Sequence, residues 1–557
     1  MIISMHNRGL ARHRVFRLLA VLMLSIVGLQ DGRADEITDL VVYGGTPAGI
    51  ATAIAAAREG ASVVLIEPSR HLGGMVTGGL SSTDTGDPST IGGIAREFFT
   101  RADAAYGDPK KTSTPFEFWK SEPHVAERTF HEMLDEARVT VVMRQLLEHV
   151  SLDGRRITSV TTADGTTHRG KAFVDATYEG DLMARAGVSY VVGREGRDEY
   201  GESLAGFLPA PLRPRDVASM AAHGTAYTHG TPCELPPRDA SGKLFWGVTD
   251  KPWPAPGAGD KLVQSYTYRV IITRDKKKMV PFPKPLHYHP ERYDLLVELI
   301  RRYPGIRFAR IVYVGWIPGG KSEINASGLI FSTDYWGGNQ DYPEGDEATR
   351  ERIRQDHKDY VQGLLWFLAN DDRVPAALRK ETQGWGLAND EFVDNDNWPY
   401  ALYVREARRM RGPYVMRQQD CQEDLLKPDA VAMGSFILDS HAYQRLITPE
   451  GHITDEGNFD VKTKPYQIPY RCITPRKEEC TNLLVPVCLS ATHVAYGSIR
   501  MEPVYMALGH VSGVAAMAAI RSGRPVQEID VTTLQADLRA AKQIISLEDR
   551  PEATPAR

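Results

Sequence analysis

Gly44, Gly45, Thr46, Pro47, Ala48 and Gly49 form one turn of small and conformationally special residues. A glycine turn ahead of a helix lets the main chain approach a phosphate, and the helix N-terminus offers free N–H groups and partial positive charge. Glu67 follows Gly44 by 23 residues, the place where a strand-end carboxylate accepts from ribose hydroxyls. The chemistry of this set is the grip on a dinucleotide. Thr46 stands where the G-x-G-x-x-G pattern has its middle glycine, so the surrounding elements must support the reading.

Those elements are present. Residues 39–43 (DLVVY) suit a buried parallel strand, 50–58 (IATAIAAAR) a helix stopped by Gly60, and 62–66 (SVVLI) a second buried strand. Beyond Glu67 come Pro68, Gly73, Gly74 and Met75, where an NAD domain would continue into a helix. Flavoproteins of the glutathione-reductase type carry a glycine pair there, where the chain crosses the dinucleotide and Cβ atoms would strike it. The expected cofactor is therefore FAD. A strand over 139–143, with Val142 beside the cofactor, leads into a small β-meander. The run Phe173–Thr177, an apolar strand ending in D-A-T, resembles the second FAD-associated signature of that fold, which implies that Ala176 and Thr177 return to the same ligand. Near the C-terminus, 482–487 (NLLVPV) reads as another buried strand and 504–520 as an apolar helix with Pro503 in its first turn. Reduced flavin carries negative charge beside its C2 carbonyl, and a helix N-terminus supplies N–H groups there. Met501, Glu502 and Pro503 are accordingly expected at the isoalloxazine ring.

Strand-GGTPAG-helix, E-P-x-x-x-L-G-G-M, V-D-A-T-Y-E-G-D and S-A-T-H-V-A-Y-G-S-I-R-M-E-P together resemble a family of bacterial FAD-dependent oxidoreductases. The family is distantly related to the fumarate reductase and glutathione reductase flavoproteins. The label xanthan lyase carried by some members finds no lyase site in these residues. The resemblance spans roughly residues 39–525 and implies FAD binding and redox chemistry without naming a substrate. The implied fold is α/β: a Rossmann-like FAD-binding domain of the glutathione-reductase type built from both chain ends, with an inserted α+β substrate domain. The expected divisions are 35–189 and 471–530 for the two parts of the FAD domain, 190–470 for the substrate or cap domain, and 531–557 for a C-terminal helix and tail.

Flavin dehydrogenation of a C–H beside O–H or N–H needs a base, usually histidine. His441, in Asp439-Ser440-His441, and His493, in the loop entering the flavin helix, are the candidates, and covalent flavin attachment is a further reading of His493. Arg471 and Arg500 are expected as electrostatic partners of reduced flavin or substrate. Residues 266–273 read as an alternating strand and 348–370 as a helix. The Arg-rich stretch 403–411 reads as a helix, either solvated by ion pairs or turning some arginines onto an anionic or polyhydroxylated substrate. No metal is expected: His287 and His289 lack a third ligand, and Asp394–Asn397 is half a calcium loop without its glycine and closing Glu.

The net charge of −5 over 557 residues, 25% of them charged, favours neither nucleic acid nor an anionic membrane surface. Residues 1–34 begin with Arg8, Arg12, Arg14 and Arg17, continue through the apolar run 18–29, and end with Gly32 and Ala34 before Asp35. This reads as a secretory signal peptide and predicts a periplasmic or secreted protein without stable membrane insertion. The five cysteines make an odd set, with Cys472 and Cys480 either closing a loop or buried unpaired. The leading expectation is an exported dehydrogenase or oxidase on a small polar molecule, a carbohydrate or hydroxy acid, with an unspecified electron acceptor. Open beside it are a redox-neutral flavin isomerase or lyase, and a non-catalytic carbohydrate-binding protein on a flavoprotein scaffold.

Overall fold

The computed structural model describes residues 37–107, 120–209, 235–327 and 329–550. The candidate leader, residues 1–34, and Cys233 lie outside the described residues. Strand β1 (Thr38–Tyr43) is buried from Leu40 onward, and β2 (Val63–Glu67) pairs with it in parallel, Leu40 opposite Val63 and Tyr43 opposite Ile66. Between them helix α1 (Pro47–Arg58) starts three residues earlier than its apolar run suggests. Thr46 caps it, accepting from the Gly49 N–H, and Pro47 sits in the first turn, where its missing N–H costs nothing. Strand β3 (Thr140–Met143) extends the parallel sheet beyond β2. The meander follows as β4 (Leu147–Asp153), β5 (Arg156–Thr162) and β6 (Thr167–Asp175), antiparallel to one another, with β6 returning parallel to β1.

A second sheet is built from β7 (Val270–Thr273), β8 (Met279–Val280), β9 (Val312–Ile317), β10 (Lys321–Ala326) and β11 (Gly386–Ala388), in the order β8-β11-β7-β10-β9. The alternating strand expected over 266–273 is shorter: all four residues of β7 are buried, while Tyr266 and Thr267 make single bridges to Tyr335 and Tyr403. Two covered faces remove the reason for alternation. Helix α2 (Glu347–Asn370) is capped by Asp346, and its Ile353, Tyr360, Leu364 and Phe367 enter the core beneath that sheet.

The stretch 403–411 is not a helix. Only Arg409–Met410 has regular structure, a short strand against Tyr190–Val191. Arg405 and Arg409 are among the largest fully buried side chains. Arg405 pairs with Asp334, and Arg409 with Glu195 and Glu406. Buried arginines need such partners, and these acids come from separate segments as well as from Glu406 within the stretch itself. Beyond it, β12 (Leu438–Ser440) and β13 (Phe459–Val461) form an antiparallel pair that sets Asp439 opposite Asp460.

The chain then returns to the first sheet. Of the expected strand 482–487, two residues pair: β14 (Leu483–Leu484) lies parallel to β6. Pro486 lacks the N–H that a longer ladder would need. Helices α3 (His493–Ile499) and α4 (Glu502–Ser522) follow, α4 closing on Gly523 at φ 65°. By composition α4 is apolar enough to cross a membrane, yet 89% of its apolar window is buried inside the protein. It packs on α1 through Gly509 and Gly513, and Thr52 Oγ1 donates to the Gly509 carbonyl at 2.9 Å. Cys421, Cys472, Cys480 and Cys488 are all free and buried, so Cys472 and Cys480 close no loop by a disulfide.

Candidate active site

Three loops meet at the C-terminal edge of the first sheet. At the β1–α1 turn Gly44 has φ 104°, and a Cβ there would stand 2.8 Å from the main chain of Ala176 and Thr177. Thr46 Oγ1 donates to the Ala176 carbonyl at 2.7 Å while accepting from Gly49 N–H at 3.2 Å. The residue that departs from the glycine pattern is thus a helix cap that also ties the turn to the end of β6. Pro47 and Ala48 are buried in the first helical turn, whose N–H groups have no carbonyl four residues back within the helix. Glu67 holds one N–H on each carboxylate oxygen, Gly45 and Ser69, both at 2.7 Å, and keeps lone pairs for hydroxyl donors. Pro68, half-buried, starts the bend beyond it, and Val142 pairs with Ile66 at the neighbouring strand end.

The glycine-pair loop is joined to this turn. Gly73 N–H donates to the Gly45 carbonyl at 2.7 Å, and a Cβ on Gly74 would meet Tyr178 Oη at 2.5 Å. Met75 N–H donates to the same Tyr178 hydroxyl at 3.0 Å. In the third loop, Thr177 bonds to Asp175 through both its N–H and hydroxyl, and Ala176 N–H donates to the Tyr43 carbonyl at 2.8 Å. Burial pushes the Asp175 carboxyl up to about 6 against those hydrogen bonds. From the C-terminal segment, Met501 sits at the N-cap position of α4 without a side-chain capping bond and Pro503 fills the first turn, both buried. Glu502 Oε1 accepts from Tyr178 Oη at 2.6 Å. Its Oε2 is buried without a protein partner, an orphan acid at the meeting point of the loops. A helix N-terminus, a strand-end carboxylate, glycines in close approach and an orphaned polar group suit an extended dinucleotide.

Beside Met75 lies a cluster of charged side chains. Tyr403 packs against Met75 and Leu80 and accepts from Arg500 at 3.1 Å. Arg500 also pairs with the Asp439 carboxylate. His441 places Nδ1 2.6 Å from Asp334 and Nε2 3.6 Å from Asp439, while Arg405 holds the other oxygen of Asp334 at 2.9 Å. Burial and Arg405 oppose a charge on His441, but Asp334 and Asp439 outweigh them and hold it above its usual value. Arg405 and His441 pull Asp334 far below the carboxylate range despite its burial. Burial raises Asp84, which faces Arg269, Asp439, Arg500 and His441, and Arg269 itself pairs with Glu323. Partial desolvation and the facing Asp439 carboxylate push Asp460 up to about 6. An imidazole oriented by a buried carboxylate, with arginines alongside, can exchange a proton and hold an oxygen-rich ligand.

The expected residues divide accordingly. His441 and Arg500 meet through Asp439. His493 is buried at the start of α3, with Nδ1 3.4 Å from Tyr443 Oη and its main-chain N–H on Glu195. Burial pulls its imidazole down to about 3, so it is a neutral ring beside the Arg194, Glu195 and Arg409 network. Arg471 is not brought into the cluster: its side chain is 45% exposed, paired with Asp429 and stacked over Tyr414. Asp84, Asp334 and Tyr403 enter the site with no local pattern to announce them. His287 pairs with Asp359 and His289 with Glu291. One group with metal-like spacing, Glu122, His124 and Glu391, already surrounds the Lys321 ammonium, which lies 2.5 Å from Glu391 and 2.7 Å from Glu122.

No curated protein matches this chain. Among solved structures, 29% of it aligns with 36% of OxyS anhydrotetracycline hydroxylase from Streptomyces rimosus, at 14% identity and TM-score 0.24. Similarly, 34% aligns with 76% of THI4 from Thermovibrio ammonificans, at 18% identity and TM-score 0.23. A third match covers 29% of this chain and 59% of L-proline dehydrogenase from P. horikoshii, at 17% identity and TM-score 0.22. The alignment thus spans about a third of the hydroxylase's length. The family model described as FAD dependent oxidoreductase matches residues 39–538, a span that takes in all three loops, the charged cluster and α4. The chain belongs to the FAD dependent oxidoreductase family, and it is an oxidoreductase whose cofactor is FAD.

Proposed function

We propose that this enzyme oxidises an alcohol carbon of a small polyhydroxylated molecule, a carbohydrate or hydroxy acid, in a pocket formed by Asp84, Arg269, Tyr403, His441 and Arg500. Bound FAD supplies a two-electron acceptor for the hydride. His441 takes the hydroxyl proton on Nε2 as the C–H bond breaks and the C=O bond forms. Asp334 fixes the ring through Nδ1, and Arg405 keeps Asp334 ionised. Arg500 and Arg269 hold substrate oxygens. Turnover would require an external two-electron acceptor to restore the oxidised cofactor. The observation that carries this reading is the Arg405–Asp334–His441 chain ending beside Arg500, next to the loop of Met75.

In the same reading, residues 35–189 and 471–530 make one FAD domain of the glutathione-reductase type and 190–470 close over it. Support comes from β14 pairing with β6 and α4 packing on α1. Residues 1–34 would direct export, on their basic start, apolar run and small residues before Asp35. The test is anaerobic mixing of the flavin-loaded enzyme with sugars, polyols and hydroxy acids while following flavin absorbance. At least one is expected to bleach the flavin, and H441Q to slow that bleaching at least 100-fold. A panel without effect would remove the substrate class, and turnover without any electron acceptor would favour a redox-neutral reaction.

A further inference from the structure

Glu502 has a role that its place near the cofactor does not by itself define. It is the first residue of α4, 4% exposed. Tyr178 Oη donates to its Oε1, and that hydroxyl in turn accepts the Met75 N–H, so the Glu502 carboxyl is oriented by the glycine-pair loop and the loop after β6 together. Its Oε2 has no protein partner. Arg500, two residues earlier, is engaged by Asp439 and Tyr403. The nearest titratable groups are phenols: Tyr178 donates to Glu502, and Tyr505 lies one turn along α4, 6.4 Å from Tyr178 ring to ring. An ionised carboxylate in such surroundings is costly, and a protonated carboxylic acid is the form that can be kept there.

We propose that Glu502 is a neutral carboxylic acid whose Oε2–H donates a hydrogen bond to the flavin, so that it stabilises the charge the flavin acquires on reduction. This deepens the dehydrogenase reading and rests on the expectation that residues 501–503 lie beside the isoalloxazine ring. Where Glu502 is already protonated it keeps its proton on reduction, so there no bond to it is made or broken. Burial, opposed by the Tyr178 hydrogen bond, pushes the carboxyl up to about 8. Negative charge on the ligand raises it further in the reduced enzyme. Between those two values, reduction must draw a proton onto Glu502. Glutamine keeps both hydrogen bonds without a titratable group, which makes E502Q the matched control.

The experiment is a reductive titration of the FAD-loaded enzyme and of E502Q with reference dyes from pH 7 to 10. Wild type is expected to take up one proton per two electrons near pH 7 and two above about pH 8, while E502Q takes up one throughout. Infrared spectra of the oxidised holoenzyme at pH 7 should contain a carboxylic-acid C=O band that shifts on reduction and is missing in E502Q. A constant proton count in wild type, or the same rise in E502Q, would overturn the proposal, as would absence of that band. If any of these failures occurs while the substrate panel still bleaches the flavin, only the role of Glu502 falls. If the panel also fails, the dehydrogenase reading falls with it.

Discussion

Replacing Gly509 by alanine sets two effects of opposite sign against each other. Alanine is the better residue inside a helix by about 1 kcal/mol, so a solvent-facing site on α4 would gain stability. Gly509 instead faces the first turn of α1: a Cβ there would stand 2.8 Å from the carbonyl carbon of Ala48, 2.9 Å from its Cα, and closer still to its oxygen. Those are backbone atoms, so relief requires the helices to part. Parting them stretches the Thr52–Gly509 hydrogen bond of 2.9 Å, worth about 1 kcal/mol, and strains tightly packed neighbours by about 1–3 kcal/mol. The net expectation is a loss of about 1–3 kcal/mol, concentrated at the phosphate end of α1. Thermal release of FAD, followed by flavin fluorescence, should therefore occur at lower temperature in G509A, with weaker FAD binding. The control is G523A, at the C-terminus of α4, where φ is 65° and no atom lies within 4 Å of the new Cβ. It should cost about 1 kcal/mol through backbone strain and leave FAD affinity unchanged. A G509A protein at least as stable as wild type, with unaltered FAD affinity, would refute the argument that this interface sets the dinucleotide turn.

Lys321→Met should destabilise the fold by about 3–5 kcal/mol in chemical unfolding, because it strands Glu122, Asp390 and Glu391 around a fully buried ammonium position. Arg471→Ala removes a half-exposed ion pair and should cost at most about 1 kcal/mol, with substrate-driven flavin bleaching unchanged. Because His441 is held above its usual value, its base form grows in as pH rises, so kcat/KM should climb with pH through an inflection above 6.5 that H441Q lacks. The same shift makes protonated His441 stabilising: that contribution is full below about 6.5 and is lost as pH rises through the folded value, which paired unfolding curves of wild type and H441Q should show.

Everything local about the cofactor turn was legible in the residues: the strands around it, the helix behind it, the acid after it and the glycine pair beyond. Each depends on contacts within a few dozen positions, where spacing and residue type decide the hydrogen bonds. Even so, the purpose of Thr46 needed its partner Ala176, 130 residues away. The charged cluster around His441 could not be read in the same way. His441 meets Asp334 across 107 positions, and Tyr178 meets Glu502 across 324. No periodicity encodes such pairs. The Arg-rich stretch shows the limit from the other side: its composition reads as a helix, whereas Arg405 and Arg409 lie buried against Asp334 and Glu195 from distant segments. In a low-dielectric interior an unpaired charge is too costly to keep, so tertiary structure, which decides where acids and arginines meet, also decides which of them become a site.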